Sequence, residues 1–209
     1  MKLSPMQYDI LKEIFNVGVG KSASLLSEIV KRRIFLNVPH LELVDLNKSV
    51  AELHPHGLPD GTLVVSSIRF KEKLAGVANL IFPADKMRQF LNLCQGEEAG
   101  FYQPGDEFDD IDLDIIKEVA NIVLNSIVGE LGNFLNLEFD YTLPQIHLLG
   151  QGDLLADLQD EDKLFRLMLF ITFRIDETEI SGAIIIDMTL NSLQELVNTL
   201  DKLEVGLYE

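Results

Sequence analysis

Two pairs of side chains in this sequence combine an acid and an amide three residues apart: Glu13 with Asn16, and Glu118 with Asn121. Three residues is close to one helical turn, so on a helix each pair would share a face. Neither residue type is a nucleophile, and no Ser/His/Asp or Cys/His arrangement is legible elsewhere in the chain. The chemistry that suits them is hydrolysis of a bond already activated by someone else. An acyl phosphate is such a bond, because phosphoryl transfer demands chiefly an in-line water and stabilisation of charge. An asparagine amide can accept a hydrogen bond from that water and aim its lone pair at phosphorus. It is not a strong base, and with an activated carboxylate as leaving group none is required. A glutamate one turn away could pair with a lysine beside a partner's phosphoryl group and fix the docking register.

Glu-x-x-Asn is a short pattern, and it also occurs at Glu130/Asn133 and Glu195/Asn198. An internal repeat separates the first two pairs from these. Shifting the chain by 105 residues lays Asp9-Ile-Leu-Lys-Glu13-Ile-Phe-Asn16 on Asp114-Ile-Ile-Lys-Glu118-Val-Ala-Asn121. The same shift carries Pro39-His-Leu-Glu-Leu onto Pro144-Gln-Ile-His-Leu, and after one inserted residue Gly76 falls on Gly182. Only the 13/16 and 118/121 pairs coincide under it. A solvated helical face kept through a duplication is the competing explanation of the match.

The elements that would position the pairs follow from hydrophobic periodicity. Apolar residues at Leu11, Phe15, Leu25, Leu26 and Ile29 predict an amphipathic helix over 9–31, with a matching stripe at Ile116, Ala120, Val123, Ile127, Leu131 and Phe134. On the opposite side Glu13, Asn16, Gly20, Ser24 and Ser27 lie within about 40° of one direction. The second copy has Glu118, Asn121, Asn125, Gly129 and Gly132 there. Glycine is unfavourable inside a helix, so Gly18, Gly20, Gly129 and Gly132 predict close approach by another helix or backbone. Strands are expected at 34–45, 62–71 and 73–82, then at 138–149, 164–175 and 179–188. Short charged joints, Lys71-Glu72-Lys73 and Asp176-Glu177-Thr178, read as hairpin loops, and closing helices are expected at 84–95 and 190–203. The fold class is therefore α+β: a layered fold of two tandem pseudo-symmetric repeats, with antiparallel sheet covered by helices. Residues 1–209 form a single domain on this reading, with repeats at 1–95 and 113–209 and an acidic joint at 96–112.

Composition limits the partners. Seventeen basic against 34 acidic residues give a net charge of -17, which speaks against sequence-independent binding to nucleic acid or to an anionic membrane. One cysteine, Cys94, leaves no intramolecular disulfide, and no apolar run is long enough for a transmembrane helix, so a cytoplasmic protein is expected. Gly18-Val-Gly20-Lys21-Ser22 ends like a phosphate-binding loop but sits inside the predicted helix. His54 and His56 read as loop residues and His40 and His147 as strand residues in apolar surroundings. Cys94 reads as a buried small hydrophobe. No metal or cofactor of the chain's own is expected.

At the paired motifs the sequence resembles the CheC/CheX/FliY phosphatases of bacterial and archaeal chemotaxis. The family pattern is an acidic residue followed by Glu-x-x-Asn on a long helix with small residues after it. Asp9, Glu13, Asn16, Gly18 and Gly20 match it once, and Asp114, Glu118 and Asn121 match it again. The resemblance implies a phosphatase that dephosphorylates the phospho-aspartate of a CheY-like response regulator, with Asn orienting water and Glu contacting the receiver's lysine. It implies a magnesium ion on the receiver, and CheD as a second partner of some members. Two alternatives stay open: a regulator of receptor methylation acting through a CheD-like partner, and a flagellar-switch component of the FliM/FliY kind. The second motif carries Asn125 where the first has Gly20, which predicts two unequal sites.

Overall fold

A computed structural model of the chain describes residues 3–45, 61–95, 108–150, 152–154, 165–175 and 177–206. Helix α1 spans Pro5–Val30, strand β1 Ile34–Asp45, β2 Thr62–Lys71 and β3 Ala75–Pro83. Helix α2 (Ala84–Gln95) and helix α3 (Asp110–Leu135) follow. Then come β4 (Asp140–Tyr141), β5 (Gln145–Gly150), β6 (Phe165–Ile175), β7 (Thr178–Met188) and helix α4 (Leu190–Gly206).

The first helix begins four residues before the expected Asp9, because Ser4 caps it. Ser4 Oγ accepts from the Gln7 N–H at 3.1 Å and Gln7 Oε1 accepts from the Ser4 N–H at 2.9 Å, with Pro5 at the first helical position. Asp109 and Asp112 make the same reciprocal box at the start of α3. Both helices end on a left-handed residue, Lys31 at φ 59 and Asn136 at φ 54. The 105-residue shift thus carries start signal onto start signal and stop onto stop.

The seven strands form one antiparallel sheet in the order β1-β6-β7-β3-β2-β4, with β5 also on β2. The first strand of each repeat pairs with the middle strand of the other, β1 on β6 and β5 on β2. At the centre Leu80 faces Ile184 and Ala78 faces Ile186. The offset that lays Gly76 on Gly182 converts each of these pairs into the other, so a pseudo-twofold axis passes between β3 and β7.

Several expectations need correction. The run 138–149 is two strands, because Pro144 has no N–H for a ladder and Thr142 is tied sideways. The Thr142 N–H donates to Arg69 O at 3.0 Å, and Thr142 Oγ1 accepts the Arg69 N–H at 2.9 Å. The first hairpin turns through Glu72-Lys73-Leu74, with Lys71 paired to Ala75 and Leu74 fully buried. The second pairs Ile175 with Thr178; Asp176 lies outside the described residues. Finally, Leu25 and Ile29 are 47% and 58% exposed. The buried side of α1 runs instead through Leu11, Phe15, Gly18, Val19, Ser22 and Leu26, since α1 must meet α3 as well as the sheet.

That helix contact explains part of the glycine pattern. Gly18 abuts Ser126 and Ile127 of α3, where a Cβ would stand 3.1 Å from Ile127 Cα, and Ser22 Oγ reaches Ile122 O at 3.5 Å. The helices therefore cross antiparallel. Gly132 packs its Cα against Leu137 O and the Phe139 ring, Gly129 has only ordinary contact with Tyr141, and Gly20 faces open space, against expectation. The core between helices and sheet joins Leu11, Phe15 and Ile127 to Ile68, Phe70 and Ile184. A smaller cluster on the other sheet face holds Leu63, Val65, Ile81, Met168 and Ile185 beside the buried Arg166–Asp187 ion pair.

Candidate functional site

The two motifs sit on the N-terminal halves of α1 and α3, on opposite sides of the point where the helices cross. Glu13 and Glu118 are exposed and Asn16 and Asn121 are half-buried, so in both copies the acid projects to solvent and the amide lies on the flank. Asp9 and Asp114 are exposed one turn earlier, Asp114 within 3.3 Å of Lys117 Nζ. The fortuitous matches differ. Glu130 pairs with Lys21 at the helix contact and accepts from Asn133, and Glu195 and Asn198 project from α4, the counterpart of α2 and not of a motif helix.

In the first copy the amide is built into the fold. Asn16 Oδ1 accepts from the Val38 N–H at 2.9 Å and Asn16 Nδ2 donates to Lys12 O at 2.9 Å. The β1–β6 register shifts between Asn37 and His40, which leaves the Val38 N–H without a ladder partner beside Pro39. Asn16 satisfies that donor. A carbonyl oxygen has two lone pairs, so one remains for a water.

In the second copy the counterpart of Val38 is Leu143, 83% exposed in the break between β4 and β5. Asn121 Oδ1 instead accepts from Asn125 Nδ2 at 2.8 Å, and Asn121 Nδ2 has no acceptor among the described residues. Asn125 Oδ1 is buried without a hydrogen-bond partner among the described residues. An open groove of about 310 Å³ runs from Asn125 past Gly129 and Glu130 to Phe139 and Tyr141. Partial burial there raises the Tyr141 phenol above its ordinary pKa. The groove was not legible in the sequence, where the Asn125-for-Gly20 difference predicts only unequal sites.

The remaining candidates that lie among the described residues carry no comparable geometry. Gly18–Ser22 lies within α1, with Ser22 Oγ bonded to Gly18 O. His40 and His147 are on strands but exposed, not in apolar surroundings, because both point outward from edge strands; His40 stacks on Phe170 and bonds Glu42. His54 and His56 lie outside the described residues. Cys94 is partly buried, which pushes its thiol up to about 12 and removes it as a nucleophile. Among the described residues no group of three or more His, Cys, Asp or Glu could hold a metal, and no helix is long and apolar enough to cross a membrane.

A duplicated α+β domain with an exposed acid and a flanking amide on each of two antiparallel helices is the class that this geometry defines. The chain is 25% identical over 156 residues to the CheY-P phosphatase CheC of Bacillus subtilis (strain 168), covering 72% of this chain and 70% of that protein. It is 21% identical over 147 residues to the flagellar motor switch phosphatase FliY of the same organism, covering 70% of this chain and 37% of that one. FliY of Thermotoga maritima has the same fold, with a TM-score of 0.72 at 20% identity, covering 97% of this chain and 99% of that structure. So does the FliM middle domain from H. pylori, at 0.66 and 13%, covering 94% and 99%. No protein-family model matches the chain. The chain is thus similar in sequence to CheC and FliY proteins and shares the FliY fold, and these two relatives are named phosphatases.

Proposed function

We propose that this chain is a cytoplasmic protein aspartyl-phosphate phosphatase acting on a phosphorylated CheY-like receiver. The observation that carries the reading is the placement of Glu13/Asn16 and Glu118/Asn121 at matched positions of two identically capped helices, acid outward and amide on the flank. Asn16 Oδ1 or Asn121 Oδ1 accepts a hydrogen bond from the attacking water and holds it in line with phosphorus. The water oxygen bonds to phosphorus as the bond to the aspartyl oxygen breaks, and the carboxylate leaves. Glu13 or Glu118 pairs with a lysine of the receiver and sets the register. The receiver supplies its own magnesium ion and its own leaving group, so this chain supplies geometry. The naming of the CheC relative as a CheY-P phosphatase supports the choice of partner. Phosphate release from a phosphorylated CheY-like receiver, compared with and without the purified protein, tests the reading; a rate no greater than the receiver's own would reject it.

The fold shared with the FliM middle domain favours a second reading, a flagellar-switch binding component. It predicts stable binding to a receiver or switch protein without acceleration of phosphate release. Regulation through a CheD-like partner is a further part of the proposal, and a rise in phosphatase rate on adding purified CheD checks it.

A further inference from the structure

Asn16 is held at both ends by backbone, whereas among the described residues Asn121 is held only by another side chain. The segment that would supply a strand N–H to Asn121 is drawn away by the Thr142–Arg69 bonds, which leaves Leu143 in solvent. An asparagine amide has a broad, roughly two-fold terminal torsion, so without a fixed donor its oxygen and nitrogen exchange places freely. The exchanged amide would offer the water a donor where an acceptor is needed. We propose that Asn125 is a positioning residue of the second site, whose Nδ2 holds the Asn121 oxygen in its water-accepting orientation. The inference rests on the phosphatase reading for its activity readout.

Two further observations carry it. Among the described residues Asn125 leaves its own Oδ1 buried and unpartnered, a cost that a residue selected for stability alone would avoid. The equivalent position in the first copy is Gly20, which faces open space, and there the Val38 N–H already does the orienting. The two copies thus solve one problem with different donors, and the difference between Gly20 and Asn125 compensates for the displaced strand.

The test uses the Asn16→Ala background, in which the second site works alone on a phosphorylated CheY-like receiver. Adding Asn125→Ala is expected to lower kcat about tenfold with KM unchanged, the loss of one orienting hydrogen bond. Asn125→Asp, which keeps the size but cannot donate, is expected to lose activity likewise. The thermal midpoint will not fall with Asn125→Ala, since the orphaned acceptor leaves too. Full kcat in both Asn125 variants, with Asn121→Ala inactive in the same background, overturns the positioning role and leaves the phosphatase reading intact. If Asn121→Ala is itself without effect, it is the phosphatase reading of that site that fails. The bond is then judged by NMR in the otherwise wild-type chain. Asn125→Ala is expected to shift the Asn121 side-chain amide resonances, and unmoved resonances overturn the inference.

Discussion

Asn16 Oδ1 holds the Val38 N–H at 2.9 Å, the donor that the irregularity beside Pro39 removes from the β1–β6 ladder. The proposed catalytic amide of the first copy is therefore also a structural tie between α1 and an edge strand. Asn16→Ala leaves that N–H unpaired and will destabilise the protein by about 1–3 kcal/mol. Asn121→Ala breaks only a bond to another side chain and will cost under about 1 kcal/mol. Urea denaturation of the two variants checks the asymmetry, and equal losses would contradict it.

The two glycines of α1 separate packing from propensity. A Cβ on Gly18 would stand 3.1 Å from Ile127 Cα and 3.2 Å from Ser126 O, both backbone atoms that cannot move alone. Gly18→Ala will therefore destabilise by about 1–3 kcal/mol, as overpacking does. Among the described residues nothing lies within 4 Å of a Cβ on Gly20, so Gly20→Ala will stabilise by about 0.5–1 kcal/mol through helix propensity. Denaturation midpoints moving in the same direction would refute the helix-contact account.

Much of this architecture was readable because local signals coincide with the repeat. Strands β1 and β2 fall at the expected residues, since alternating apolar side chains end at charged or glycine-bearing joints. The pairing of β1 with β6 was not readable, because it is a long-range choice that no local pattern records. The break in 138–149 escaped for the same reason: Thr142 is bonded to Arg69, more than 70 residues away. Leu25 and Ile29 mislead because a large apolar side chain on a helix need not be buried. The small residues Gly18 and Ser22 face α3, and helix approach favours small side chains there. As for the site, repetition alone singled out Glu13/Asn16 and Glu118/Asn121, but the ties of Asn16 to Val38 and of Asn121 to Asn125 depend on where strands leave the ladder.

Arg166 and Asp187 form an ion pair at 2.7 Å on the second face of the sheet, with side chains 3% and 0% exposed. Removing one partner leaves a buried charge. Asp187→Ala will cost about 3–5 kcal/mol, whereas the double replacement Arg166→Met/Asp187→Leu will cost far less. A double variant as unstable as the single one would contradict this.

Burial pushes the Cys94 thiol from its ordinary 9.0 up to about 12. The folded state holds that proton more tightly than the unfolded chain, so this contribution to stability is complete below pH 9 and is lost as pH rises toward 12. At pH 8 the native protein will react with iodoacetamide far more slowly than the urea-unfolded chain. Equal rates would place Cys94 at the surface.

The central claim is that Asn16 and Asn121 each position the water that attacks a receiver's phospho-aspartate. Phosphate release from a phosphorylated CheY-like receiver, measured with wild type, Asn16→Ala, Asn121→Ala and the double variant, tests it most directly. The two sites share no partner and stand on opposite sides of the helix crossing, so their losses are expected to be nearly independent. Each single variant will keep the activity of the other site, and the double variant will fall to the receiver's own rate. A double variant that releases phosphate as fast as wild type would remove the water-positioning role from both residues.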